Sequence, residues 1–424
     1  MSRITPSEAL QRVSSASLQG MRLAPAKDKK AVTQPEFVGS ITEDGFFVKS
    51  ANTTPLYLFN NGKGGLVLPA YDDVEPILGD AEQADFTQEL PPHVEAWLTG
   101  YADEINWLEN GHHLILNENV EEEEDKPMAD EPKTDIPYMV KSKWGQKKPF
   151  NSKLVFDGTT YVVGCPAVMA GQLIKFWGDK GYHRGCTSVK KYQWKNGPVI
   201  PASEAITKWD YANLANTKPT SAAQIEAVAT LLAKVGFAFL TEYGTSASGA
   251  YTTDITKYIV SRLRMGNVKY ISCDKMGLQA FTEAVYKELA EGRPCGFRAK
   301  HTSNGSIVGS HAFICDGYRV KDSKFHFNFG WTGSYDGWYA MSALNLTKSD
   351  NYTADKGAWI GIKPEYRLGD ANRDGRVNVT DAMVAIDHSL KNEYDEASDV
   401  NSDGKVTASD GTRIVNHILG KDPL

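Results

Sequence analysis

The sequence predicts an α+β protein built from several domains, on three observations. Helix-type periodicity over residues 167–177, 222–235 and 278–289 gives way to aromatic-rich strand patterns at 311–316, 325–330 and 337–341, a helical half followed by a sheet half. Ahead of this central block lie short strand patterns closed by one amphipathic helix, and behind it a loop-and-helix unit occurs twice. A length of 424 residues fits two to four domains at about 100–200 residues each. Hydrophobic residues at 41% and charged residues at 23% are ordinary for a chain that folds around cores. With 46 basic against 53 acidic side chains and a net charge of −7, there is no global positive field to attract a phosphate backbone, so nucleic acid is not an expected partner. No apolar run reaches the ~18 residues of a membrane-spanning helix.

The first domain is expected over residues 1–112. Phe46-Phe47-Val48, Leu56-Tyr57-Leu58-Phe59 and Leu66-Val67-Leu68, separated by the turn signals Asn61-Gly62 and Gly64-Gly65, read as a small antiparallel sheet. Behind Pro91-Pro92, the residues Val94, Trp97, Leu98, Tyr101, Ile105 and Leu108 recur at helical spacing and form a stripe able to cover that sheet. Over 113–135 the composition changes: Glu121-Glu122-Glu123-Glu124-Asp125, then Pro127 and Pro132, with almost nothing apolar. Such a stretch repels itself and buries nothing, so it reads as an exposed tether and a place where proteases cut. The globular pattern resumes over 136–366. Residues 1–6 lack the basic, apolar and small-residue regions of a secretory signal, so export has to be judged from other features.

The last segment, 367–424, holds the repeat. Asp370, Asn372 and Asp374 stand at positions one, three and five of a loop, and Asp399, Asn401 and Asp403 repeat them. Gly375 and Gly404 supply the turn at position six, Arg376 and Lys405 offer a carbonyl at seven, Asn378 and Thr407 stand at nine, and Asp381 and Asp410 close the loops at twelve. A Ca²⁺ ion takes about six to eight oxygen ligands, and this pattern presents them. Each loop is followed by a helical pattern, Ile386 and Leu390 answered by Val415 and Leu419. The loops end in Asp and run directly from Leu368-Gly369, and the segment resembles a type I dockerin. That resemblance implies two calcium ions, an all-α module that folds on them, and docking to a cohesin domain.

Five cysteines (Cys165, Cys186, Cys273, Cys295, Cys315) are too few and too odd for a disulfide framework, and at least one thiol stays free. Cys165, in Gly164-Cys165-Pro166-Ala167, opens a helix where the dipole and unpaired N–H groups favour a thiolate, and Pro166 suits a first helical position. His311 lies 146 residues on, in Gly309-Ser310-His311-Ala312-Phe313, within the roughly 130–150 residues that separate such a cysteine from its partners in papain-like enzymes. Gln146 precedes the cysteine and is placed to donate to an oxyanion with the Cys165 backbone N–H. Asn328, followed by Trp331, offers an amide to orient the imidazole. The other four cysteines read as structural.

These segments together resemble the streptopain family of bacterial cysteine peptidases over residues 145–364. The resemblance implies a papain-like two-lobed peptidase, a helical lobe and an antiparallel β lobe, preceded by an inhibitory α+β propeptide at 1–112 and an activation linker at 113–135. It implies that His311 takes the Cys165 proton, that the thiolate attacks a peptide carbonyl while Gln146 and backbone N–H groups hold the oxyanion, and that water resolves the thioester. No cofactor is needed for that chemistry. The substrate would be a protein or peptide with an apolar residue two positions before the cut, Ser246, Ser248, Gly249 and Ser310 lining the cleft. A secreted protein, or one held at the cell surface or in the periplasm, is inferred from the propeptide and the calcium module. Two positions differ from the family's usual pattern, Pro166 after the nucleophile and Phe329 in place of Trp. Two other readings are an inert peptidase-like body in a calcium-dependent assembly, to which Phe329 points, and acyl transfer to an amine instead of water.

Overall fold

Strand and helix segregate along the chain as an α+β protein requires. The computed structural model describes residues 2–13, 35–42, 47–49, 54–62, 64–72, 74–110, 133–180, 185–194, 197–206, 209–266, 268–303, 306–343, 356–364, 368–374, 376–401, 403–422 and 424. Most of the acidic tether lies outside the described residues. In chain order the strands are β1 (Glu36–Ile41), β2 (Phe47–Val48), β3 (Leu56–Asn60), β4 (Gly64–Pro69), β5 (Gly79–Glu82), β6 (Val155–Phe156), β7 (Thr159–Thr160), β8 (Tyr192–Gln193) and β9 (Val199–Ile200). They continue with β10 (Met265–Gly266), β11 (Lys269–Ser272), β12 (Cys295–Ser303), β13 (Ser306–Arg319), β14 (Lys324–Asn328), β15 (Gly337–Tyr339), β16 (Lys356–Ile360) and β17 (Lys363–Pro364). The residues divide into two units, Met1–Gly145 with Lys269–Gly361, and Gln146–Val268 with Ile362–Leu424.

The first unit is organised by one eleven-stranded sheet in the order β11-β16-β12-β13-β14-β15-β5-β4-β3-β1-β2. The sequence reads the N-terminal strands as a sheet of their own, yet β5 pairs with β15, Gly337 opposite Ala81 and Tyr339 opposite Gly79, so one sheet runs through both. Glycines make that seam possible. A Cβ on Gly337 would lie 2.3 Å from the Asp80 carbonyl oxygen, and one on Gly79 would lie 2.7 Å from the Tyr339 ring. The expected helix is Pro92–Glu109, started by Pro92 in its first turn. Its apolar stripe packs on aromatic residues of β12, β13 and β14: the Trp97 ring lies 4.7 Å from Phe327, 5.8 Å from Phe297 and 5.9 Å from Phe313. Burying side chains of this size stabilises by about 1.5–3 kcal/mol each, which gives the helix a reason to lie across the larger sheet.

In the second unit the Cys165–Asp179 helix is buried from Cys165 to Gly178, the pattern of a central helix covered on all sides. Beside it the Ala222–Ala238 helix begins at a capping box formed by Ser221 and Gln224. Short pairs β6–β7, β8–β9 and β10–β17 complete this unit's strands. At the C-terminus the helices Val379–Lys391 and Ala408–Ile418 share a small core of Ala371, Ala382, Ala385, Val400 and Ile414. Among the described residues no helix is long and apolar enough to cross a membrane.

Candidate active site

Cys165 is the first residue of its helix, and Gly164 before it takes φ +90°, a conformation open to glycine and costly for other residues. A Cβ at Gly164 would also lie 3.0 Å from the Ser248 carbonyl oxygen. The loop holding Ser246, Ser248 and Gly249 therefore presses on the backbone that delivers the cysteine. Ser248 Oγ donates to the Val162 carbonyl at 2.8 Å and accepts from the Gly244 N–H at 3.0 Å, while Ser246 is exposed. Gly249 and Glu242 exchange backbone hydrogen bonds of 3.1 and 2.8 Å. The Gln146 carbonyl accepts from Val163 N at 3.1 Å, which holds Gln146 two residues from the cysteine across this turn. The thiol is buried and stands at the positive end of the helix dipole, where a thiolate is favoured.

His311 lies on β13, opposite Ala299 of β12, and is half-buried. Its ring centre is 4.6 Å from that of His93, the second residue of the Pro92–Glu109 helix, and the His93 ring lies 5.8 Å from Trp331. His93 is 1% exposed, and burial, then the neighbouring His311, hold its pKa well below the usual histidine value. Ser310, next to His311, is exposed, and its hydroxyl accepts from Arg298 Nε at 2.8 Å. Asn328 is buried: its Nδ2 donates to the Ser142 carbonyl at 2.9 Å and its Oδ1 accepts from Gly330 N at 3.0 Å, tying the Trp331 loop to the segment that follows the tether. Thr332 N donates to the Trp144 carbonyl at 2.9 Å in the same seam. Deeper in the sheet, His326 Nδ1 sits 2.7 Å from Asp316 Oδ1, and Asp316 Oδ2 accepts from Val140 N at 2.7 Å. Asp336 accepts from Phe329 N at 2.9 Å, and burial pushes its pKa up to about 6.

The C-terminal loops repeat the same bonds. Asp381 accepts through Oδ1 from Asn372 N at 2.9 Å and through Oδ2 from Asn378 N at 2.8 Å. Asp410 accepts through Oδ1 from Asn401 N at 3.4 Å and from Val400 N at 3.1 Å, and through Oδ2 from Thr407 N at 2.9 Å. Asn372 and Asn401 each accept at 2.9 Å from the backbone of Asp374 and Asp403. Those two acids in turn accept from Arg376 N at 2.9 Å and Lys405 N at 3.0 Å. Asp399 accepts from Gly404 N at 3.0 Å. Gly375 lies outside the described residues.

Residues 144–339 match the peptidase C10 family and residues 368–419 the dockerin type I domain. The chain carries a peptidase C10 domain and a type I dockerin domain. Over 378 residues it is 25% identical to the thiol protease/hemagglutinin PrtT of Porphyromonas gingivalis, covering 81% of this chain and 40% of that protein. It is 22% identical over 338 residues to streptopain of Streptococcus pyogenes, covering 73% of this chain and 81% of that one. In structure it is similar to a prointerpain A fragment of Prevotella intermedia, with a TM-score of 0.61 at 23% identity, covering 78% of this chain and all of that fragment. The fold is thus the papain-like peptidase fold, in agreement with the α+β expectation.

For the dockerin domain, the donor set decides which ion fits. Asp370, Asp381, Asp399 and Asp410 are all buried, with Asn372, Asp374, Asn401 and Asp403 beside them in sequence, an oxygen-only set of carboxylates and amides. Buried carboxylates need a countercharge, and hard oxygen donors suit calcium over thiolate- or imidazole-seeking metals. Sequence reasoning missed His93, Glu104 and the Asp316–His326 pair. His93 and Glu104 fall on the same helical face as Trp97 and Tyr101, so polar residues interrupting an apolar stripe were the available signal.

Proposed function

We propose that this chain is the precursor of an exported cysteine endopeptidase. Cys165 is the nucleophile and His311 the general base that takes its proton; the thiolate forms a thioester with the peptide carbonyl, and His311 then gives the proton to the leaving amine. Gln146 and the Cys165 N–H stabilise the oxyanion, Asn328 and Trp331 position the imidazole, and Ser246, Ser248, Gly249 and Ser310 border the substrate. Water releases the acyl group and restores the thiol. Residues 1–112 are the propeptide, 113–135 the activation linker, 136–366 the peptidase and 367–424 the dockerin, which holds two calcium ions through the twelve loop positions and binds a cohesin. What supports the reading most is the His93 ring lying 4.6 Å from the His311 ring: a residue of the N-terminal helix covers the imidazole that the chemistry needs. Phe329, the residue that suggests an inert body, is buried against Phe313 at 5.1 Å and Tyr339 at 5.4 Å, so packing accounts for it.

The test is a gel and mass time course of the full chain in reducing buffer beside Cys165→Ala. The wild type should lose its N-terminal segment at the acidic tether while the variant stays intact. If both stay intact, a general protease is used to cut the tether; a protein that then still fails to cleave peptides and leaves Cys165 unreactive to alkylation overturns the proposal.

A further inference from the structure

Among the described residues, four ion pairs join the N-terminal segment to the rest of its unit, and in each the acid belongs to that segment: Glu75 with Lys324 at 3.8 Å, Asp80 with Arg319 at 3.4 Å, Glu82 with Lys143 at 3.9 Å, and Glu104 with Lys356. The first two share their base with Asp322. Glu104 stands apart, because its carboxylate is 0% exposed and three donors converge on it. Its Oε1 accepts from Lys356 Nζ, and its Oε2 accepts from Ser342 Oγ at 2.7 Å and Ala343 N at 2.5 Å. Lys356, 5% exposed, also donates to the Met341 carbonyl at 2.8 Å, and its ammonium lies 5.0 Å from the centre of the Trp97 ring.

We propose that Lys356, the Ser342 hydroxyl and the Ala343 N–H form a carboxylate-binding site whose ligand in this chain is Glu104, and that its occupancy retains the N-terminal segment once the tether has been cut. The second part rests on the precursor reading, and the first does not. A cation, a hydroxyl and an amide N–H all donate, so the site asks for an acceptor-only group bearing negative charge. An amide presents an NH₂ group to one of these donors and is a poor substitute. Emptying the site leaves a buried ammonium without its carboxylate, the costly way to break such a pair.

The experiment uses the full chain carrying Cys165→Ala, so that self-processing plays no part and failure of the peptidase reading leaves the result intact. Glu104→Ala removes a CH₂–COO⁻ group, which has the heavy atoms of acetate. After the tether is nicked with dilute general protease, the unsubstituted-Glu104 protein should keep its N-terminal segment through size exclusion, while Glu104→Ala should release it at least about tenfold faster. Sodium acetate should restore retention and raise the thermal midpoint saturably; acetamide, and sodium chloride at equal ionic strength, should do neither. Equal effects of acetate and acetamide, or no effect of acetate, overturn the site. Retention by nicked Glu104→Ala equal to that of its parent, or a raised midpoint without retention, overturns the latch. If Glu104→Ala does not fold, Glu104→Gln takes its place in the nicking assay, where retention equal to the parent overturns the proposal.

Discussion

At His93 a titration is tied to whether the N-terminal helix stays in place. Free in an unfolded chain, this histidine would take up its proton near pH 6.5. Folded, it is held well below that by burial and by His311. Acidification through that range therefore binds more protons to the unfolded state, and the stability His93 contributes is fully present above about pH 6.5 and is lost as pH falls. Asp336 works the other way: burial raises its carboxyl to about 6, so its contribution is present in acid and falls as pH rises from about 4 towards 6. The wild-type curve mixes the two, so the informative quantity is the difference between Cys165→Ala and Cys165→Ala/His93→Phe. The thermal midpoint of the former should fall relative to the latter between pH 8 and pH 5. Parallel curves would remove His93 from the account of acid sensitivity.

The seam between β5 and β15 is where an element depends on something that local sequence does not carry. Gly337→Val puts a branched side chain where the Asp80 carbonyl oxygen lies 2.3 Å from a bare Cβ, so strand pairing has to open or shift. Overpacking of this kind costs about 1–3 kcal/mol, and we expect a lower denaturation midpoint in the Cys165→Ala background together with faster loss of the nicked N-terminal segment. An unchanged midpoint would mean that the seam bears little of the stability. The strand that fills this seam, Gly79-Asp80-Ala81-Glu82, has no β-branched or aromatic residue and was invisible to pattern reading, because its strand character comes from neighbours on both sides. The Pro92–Glu109 helix was legible, since its apolar stripe is a local property, but the partner of that stripe was not. The same division holds at the site. Cys165 and His311 stand in local motifs that single them out as candidates, whereas His93 shows in the sequence only as a polar residue at the start of an apolar stripe. Glu104 stood in the stripe as a charge among apolar residues, and only the three donors that meet it give it a meaning.

At the scale of the whole molecule, stability is divided between parts that depend on different conditions. The sheet unit rests on a large aromatic and aliphatic core, whereas among the described residues the C-terminal segment buries six apolar residues, five of them alanine or valine. Four of the buried aspartates in this segment, Asp370, Asp381, Asp399 and Asp410, stand at the first and twelfth positions of the two loops. Without a cation these buried carboxylates lack a countercharge, so the dockerin domain should be weakly folded on its own and gain stability from calcium. Mass action sets the size of the gain: a free concentration a hundredfold above the dissociation constant contributes about 2.7 kcal/mol per site. Chelation of the full chain should therefore remove a low-temperature transition and the helical signal of residues 379–391 and 408–418, leaving the sheet core's melting in place. Calorimetric titration of the chelated protein should show two calcium ions, and Asp381→Ala should lower that to one, since Asp381 closes one loop through its bonds to Asn372 and Asn378 while Asp410 closes the other. A melting profile indifferent to chelation would show that the duplicated loops hold their shape by hydrogen bonds alone, and the calcium reading of this domain would have to be given up.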